Sequence, residues 1–187
     1  MSILNVMWAG GAAYLSTHKV HREILAFADA QEAVSSWLLL PGDSAPLQTI
    51  GAVESLGLSS SRLKGRGWHA LRRLCDRAGI KRRLLREAPR LVMLDGIGVA
   101  RYFLPLLRSL PATQVVVVFH GVKRLRAAEV RLLRDFPVQR LRLLAVSRTL
   151  SEDVARQVQV PVLGVRNALD PDSFRAALLA RDDARKA

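Results

Sequence analysis

Val115-Val116-Val117-Val118-Phe119-His120-Gly121 is the stretch from which the fold reads outward. Four consecutive β-branched residues are stiff at χ1 and suit a pleated backbone, so Val115 to Val118 predict a strand apolar on both sides. Such a strand belongs at the centre of a sheet covered on both faces. It closes with a polar ring, His120, and with Gly121, which lets the backbone turn sharply. In open parallel sheets ligands collect beyond the carboxyl ends of the strands, and His120 would stand there. A histidine at a strand end also has a purely structural reading, so position alone makes His120 a candidate and no more.

The rest of the chain repeats this grammar. Ile3 to Ala9 predict a first strand, and Gly10 and Gly11 lead into a helix from about Ala12 to Ala28. Two glycines there permit a tight turn, and they also let backbone N–H groups at a helix start approach phosphate or sugar oxygens. The dinucleotide fingerprint GxGxxG is absent, so Asp43 is a weak candidate for a ribose-binding acid. Ser36 to Leu40 predict a second strand, closed by Pro41 and Gly42; residues 44–61 predict loop, with a short strand or helical turn near Ile50. Leu91 to Leu94 predict a third core strand, ending in Asp95-Gly96-Ile97-Gly98 ahead of a helix from about Val99 to Leu110. Asp95 would face the same crevice as His120 or cap that helix.

Beyond the valine strand come a helix from about Ala127 to Asp135 and a strand from Leu143 to Val146. A helix follows to Gln157, with Ser147 or Thr149 as N-cap, then a strand from Val160 to Val165 and a last helix from Asp172 to about Arg181. Strand and helix alternate at least five times with short connections. That pattern predicts an α/β domain: a Rossmann-like, mostly parallel sheet with helices on both faces.

Composition narrows the function classes. The chain has 187 residues, half of them apolar, enough for one domain with a core of its own. Cys75 is the only cysteine, which excludes a disulfide framework or a cysteine metal site within the chain and suits a reducing, cytoplasmic setting. Metal binding is not expected, because His18 and His21 have no evident carboxylate or cysteine partner. The N-terminus lacks a basic n-region and fits a buried strand better than a signal peptide. No apolar run approaches the roughly 20 residues of a membrane helix.

The net charge of +13 favours polyanions. Residues 62–90 hold eleven basic side chains against Asp76 and Glu87, and so carry +9 of it. Leu71, Leu74, Cys75 and Ala78 recur at helical spacing, which predicts a basic amphipathic helix, broken at Gly79 and resumed through Leu84 and Leu85. Arg66, Arg72, Arg73, Arg77, Lys81, Arg82 and Arg83 could lie on an anionic membrane with Trp68 near the interface. The same face could hold a nucleic acid, although aromatics interleaved for base stacking are lacking. A solvated face that only keeps the protein soluble is the third reading.

Three stretches, in order, resemble the N-terminal domain of family 4 glycosyltransferases of the GT-B fold. The first is the strand and glycine turn at Val6 to Ala13, and the second is VVVVFHG. The third and most specific is AVSRTLSEDVARQ followed by VPVLGVRNALDPDSF, similar to the family's strand ending in Ser, its helix, and its Asn-Gly-Val-Asp-x-x-x-Phe run. The likeness is thin between Gly42 and Arg90, and Ala168 follows Asn167 where the family usually has Gly.

The resemblance implies that residues 1–187 are the acceptor-binding half of a two-domain retaining transferase, whose donor-binding domain would follow. His120 would then be the catalytic-site residue that hydrogen-bonds acceptor or sugar. Gly10, Gly11, Asp95, Gly121, Ser147 and Asn167 would line the acceptor and donor cleft. No cofactor or metal is implied beyond a nucleotide-sugar substrate, bound mainly by the other domain, and the fragment alone would be inactive. The basic helix would hold the enzyme peripherally on the inner face of a bacterial membrane, acting on lipopolysaccharide or another glycolipid or polysaccharide acceptor. The alternative is a basic nucleic-acid-binding or non-catalytic scaffold module with a Rossmann-like core.

Overall fold

The structure, a computed structural model, describes residues 2–8, 15–26, 28, 32–41, 51–58, 69–121 and 124–165. Among these, seven strands form one sheet: β1 (Ser2–Met7), β2 (Ala33–Leu38), β3 (Ala52–Ser55), β4 (Leu91–Asp95), β5 (Gln114–Phe119), β6 (Leu141–Ala145) and β7 (Val162–Gly164). Their spatial order is β3-β2-β1-β4-β5-β6-β7, and every pairing is parallel. The described helices are α1 (Leu15–Ala26), α2 (His69–Glu87), α3 (Gly96–Leu107), α4 (Ala127–Arg134) and α5 (Arg148–Val158). This is the doubly wound α/β arrangement, and its strand order reverses direction between β1 and β4.

The valine strand behaves as its composition requires. Val115 and Val117 are buried in the larger core with Ile80 and Leu84 of α2, Phe103 and Leu107 of α3, and Leu150 and Val154 of α5. Val118 points the other way, into a core with Ile3, Met93 and Leu25 of α1. Alternate residues of one strand thus feed two layers, and each fully buried valine contributes about 1.5–3 kcal/mol relative to exposure. The middle of the sheet is β4, with β1 and β5 on either side.

Several boundaries move inward or outward by a few residues, as hydrogen bonding rather than hydropathy decides where an element ends. The strand near Ile50 is real and lies at Ala52–Ser55 on the sheet edge. The helix after β4 begins at Gly96 rather than near Val99, and the final helix from Asp172 falls outside the described residues. Ser147 is the N-cap of α5, its hydroxyl accepting from the Leu150 N–H at 3.2 Å.

Two expectations for the basic segment are corrected. α2 is one continuous helix through Gly79. Glycine costs a helix about 1 kcal/mol, and burial of Ile80 and Leu84 against the sheet outweighs it. The stripe at Leu71, Leu74, Cys75 and Ala78 faces solvent instead of the core. Turned inward are Ile80 and Leu84 together with Arg73 and Arg77, whose guanidinium groups lie 6.0 and 5.6 Å from the Tyr102 ring centroid of α3.

A β-carbon added at Gly79 meets nothing within 4 Å. Gly79→Ala should therefore raise stability by up to about 1 kcal/mol, read as a higher urea midpoint with unchanged m-value. Gly96 has φ +66°, so Gly96→Ala should cost about 1–2 kcal/mol in the same assay.

Candidate functional site

Polar side chains from β1, β2, β4, α1 and the residue that follows β5 form one connected set. The left-handed backbone at Gly96 turns the chain from β4 into α3 immediately after Asp95. The Asp95 side chain makes no capping hydrogen bond with that helix. Instead, Oδ1 lies 3.4 Å from His120 Nε2, and Oδ2 accepts from the Trp8 backbone N–H at 3.4 Å. Asp95 and His120 therefore stand side by side, close to the point where the strand order reverses.

His120 has a second neighbour that lies 99 residues away in sequence. Its Nε2 is 3.2 Å from Nε2 of His21 on α1, and the two rings stack with centroids 5.2 Å apart. His21 is fully buried, as are Asn5 of β1 and Ser36 of β2. Asn5 Nδ2 donates to Ser36 Oγ at 3.1 Å, and Asn5 Oδ1 lies 2.7 Å from His21 Nδ1. That oxygen can only accept, so His21 carries a proton on Nδ1. The chain of contacts runs Ser36, Asn5, His21, His120, Asp95, Trp8.

Burial pushes His120 down to about 4 and leaves the imidazole neutral at pH 7. A neutral ring offers one donor and one acceptor nitrogen. Its side chain is 19% exposed and that of Asp95 11%.

Other expected site residues fall as follows. Gly121 is exposed at the same edge but has no left-handed φ, and a β-carbon there would meet open space. The glycine that this edge requires is Gly96. Ser147 is exposed at the end of β6, next to the end of β5, where the Val146 N–H bonds Phe119 O at 3.1 Å. Gly10, Gly11 and Asn167, and from the basic set Arg66 and Trp68, lie outside the described residues.

The remaining basic residues divide into two groups. Arg83 grips Glu54 through two bonds of 2.6 Å and Glu87 through a third of 2.6 Å, while its guanidinium lies 4.4 Å from the Trp37 ring centroid. The hydrogen bonds from Arg83 hold Glu54 below the usual carboxylate range. Arg73, Arg77 and Arg83 are thus engaged with the fold, tying α2 to α3, to the edge strand β3 and to β2. Arg72, Lys81, Arg82 and Arg86 are exposed. Beside them stand Leu71, Leu74 and Leu85, exposed at 55%, 62% and 50%. No helix among the described residues is long and apolar enough to cross a membrane.

The sequence reading missed Asn5 and Ser36, and it set His21 aside for want of a carboxylate partner, whereas an Asp95 carboxylate oxygen lies within 4.8 Å of a His21 ring nitrogen. A signal was present: Asn5 interrupts the apolar run Ile3-Leu4-Val6-Met7, and a polar side chain at such a position needs a buried partner. His21 likewise stands one turn before Leu25 on the inward face of α1.

No protein-family model matches the chain, and neither does any curated protein. Solved structures do share its fold. A lipopolysaccharide outer core galactosyltransferase, WaaB, in its apo form superposes with a TM-score of 0.55 at 12% identity, over 90% of this chain and 46% of that one. UDP-GlcNAc 2-epimerase from Neisseria meningitidis, bound to UDP-GlcNAc, gives 0.52 at 11% identity, over 88% and 45%. Another UDP-N-acetylglucosamine 2-epimerase gives 0.51 at 10% identity, over 83% and 44%. The fold is one half of GT-B. The chain spans under half the length of each of these structures, which fits a single Rossmann-like unit of the two in that architecture.

The Asn5 network predicts its own energetics. Asn5→Leu removes the acceptor at His21 Nδ1 and the donor to Ser36 while keeping volume, and should lower stability by about 1–3 kcal/mol in equilibrium denaturation. Ser36→Ala removes one bond and should cost less.

Proposed function

We propose that the chain is the acceptor-binding half of a sugar transferase that works at an anionic membrane surface on a glycolipid or polysaccharide acceptor. The observation that carries this reading is the neutral His120 beside Asp95, at the strand-order reversal of a GT-B half. In such a cleft the imidazole hydrogen-bonds a sugar or acceptor hydroxyl, and Asp95 orients it through the same ring. A nucleotide-sugar donor would be held mainly by a second domain. In the retaining reaction that the family resemblance implies, the departing phosphate takes the acceptor proton, so His120 need not act as a base.

The membrane part rests on α2. Exposed leucines flanked by exposed arginines and lysine are what an interfacial helix presents, with its apolar stripe entering the headgroup boundary and its cations beside the lipid phosphates. Each cation near the surface contributes on the order of 1 kcal/mol, and added salt weakens it. The leucines favour a membrane over a nucleic acid, which would use the cations and leave the stripe bare.

Flotation with vesicles of phosphatidylcholine alone or with phosphatidylglycerol tests this. The protein should float only with the anionic vesicles. Charge reversal at Arg72, Lys81, Arg82 and Arg86 should abolish flotation, and Leu71→Ser with Leu74→Ser should weaken it. Equal flotation on both lipids would refute the membrane reading, and RNA binding with a steep salt slope in place of flotation would favour the nucleic-acid module.

The chemical part is tested on the native protein with labelled nucleotide sugars and glycolipid acceptors. His120→Ala should lower kcat/KM by about 10–100-fold, equivalent to about 1.4–2.7 kcal/mol of transition-state binding. Activity unaffected by that change would remove His120 from the site.

A further inference from the structure

His21 Nε2, His120 Nε2 and a carboxylate oxygen of Asp95 all lie within 4.8 Å of one another. We propose that these three atoms bind a divalent metal ion of the zinc class, leaving a coordination position open to an oxygen ligand in the cleft. The inference goes beyond the transferase reading and does not depend on it.

Four observations carry it. The two nitrogens are 3.2 Å apart, and His120 Nε2 is 3.4 Å from Asp95 Oδ1. With metal–ligand bonds of about 2.0–2.1 Å, these two separations subtend about 100–110° at an ion, close to the tetrahedral angle, and the Asp95 carboxylate has to close on His21 Nε2 from within 4.8 Å to complete the set. Second, both rings bring Nε2 to the contact, with their centroids 5.2 Å apart.

Third, the tautomer of His21 is set for ligation. Asn5 is oriented by its bond to Ser36, its oxygen takes the Nδ1 proton of His21, and the lone pair on Nε2 is left to face His120 and Asp95. A ligating histidine ordinarily donates its other N–H to an oxygen in this way. Fourth, His120 Nε2 stands within reach of both His21 Nε2 and Asp95 Oδ1, so that one ion placed among them can bond to all three atoms.

Two imidazoles and one carboxylate select against magnesium and calcium, which prefer oxygen ligands, and suit zinc or its spectroscopic substitute cobalt. The ligand set leaves a net single positive charge on a divalent ion. An anionic oxygen, such as that of a phosphate, is the natural fourth ligand, and it would enter from the side where His120 and Asp95 are exposed.

The test is a cobalt(II) and zinc(II) titration of the chain carrying Cys75→Ser, because the exposed thiol of Cys75 would bind the same ions adventitiously. One equivalent of cobalt should bind with the visible absorption of a four- or five-coordinate ion, zinc should displace it, and zinc should raise the Tm. His120→Ala, checked for folding by circular dichroism, should weaken zinc by more than the about 10–100-fold that loss of an outer hydrogen-bond partner costs. Should the buried His21→Ala variant fail to fold, His120→Ala and Asp95→Asn suffice. Absence of cobalt absorption in the Cys75→Ser chain, or unchanged zinc affinity in His120→Ala, would overturn the proposal. Because binding is read without turnover, failure of the transferase assay leaves this result standing.

Discussion

The parallel ladder between β4 and β5 pairs Asp95 with Val118, so that the last residue of one strand stands beside the valine two positions before His120. A slip of one residue would turn Asp95 to the other face of the sheet and expose alternate valines, so burial on both faces holds this register strongly. The ladder between β1 and β2 acts similarly, setting Asn5 opposite Ser36. On the α1 side of the sheet His21 reaches down to that pair and across to His120. Hydrophobic burial, without direction of its own, thereby delivers directional polar groups to one place.

The chain as a whole carries a net charge of +13, yet the place where these groups meet holds the neutral imidazole of His120 beside the ring of His21 and the carboxyl group of Asp95. His120 is neutral because burial disfavours its charged form, and the tautomer of His21 follows from the oxygen that Asn5 presents.

The cations are sorted by the packing of α2. Arg73, Arg77 and Arg83 lay their stems along the protein and stack on Tyr102 and Trp37, as long amphipathic side chains can. Because arginines occupy the inward face, the leucine stripe is displaced outward. The helix is amphipathic in the expected sense, but its apolar side is offered to a partner rather than to the core.

Read alone, the amino-acid sequence determined the fold class: alternating apolar strands and helical periods, with short connections, leave little besides a parallel sheet covered on both faces. It also singled out His120 and Asp95, since the end of a core strand is recognisable from where the apolar run stops. It did not reveal His21, Asn5 and Ser36 as their companions, nor the outward turn of the leucines or the continuity of α2 through Gly79. Those were decided only by tertiary structure, because a buried polar contact between residues 99 apart leaves no local period in the chain. The orientation of an amphipathic helix likewise depends on which of its two faces finds better partners, here Tyr102 and Trp37 for arginine, and hydropathy by itself does not rank them.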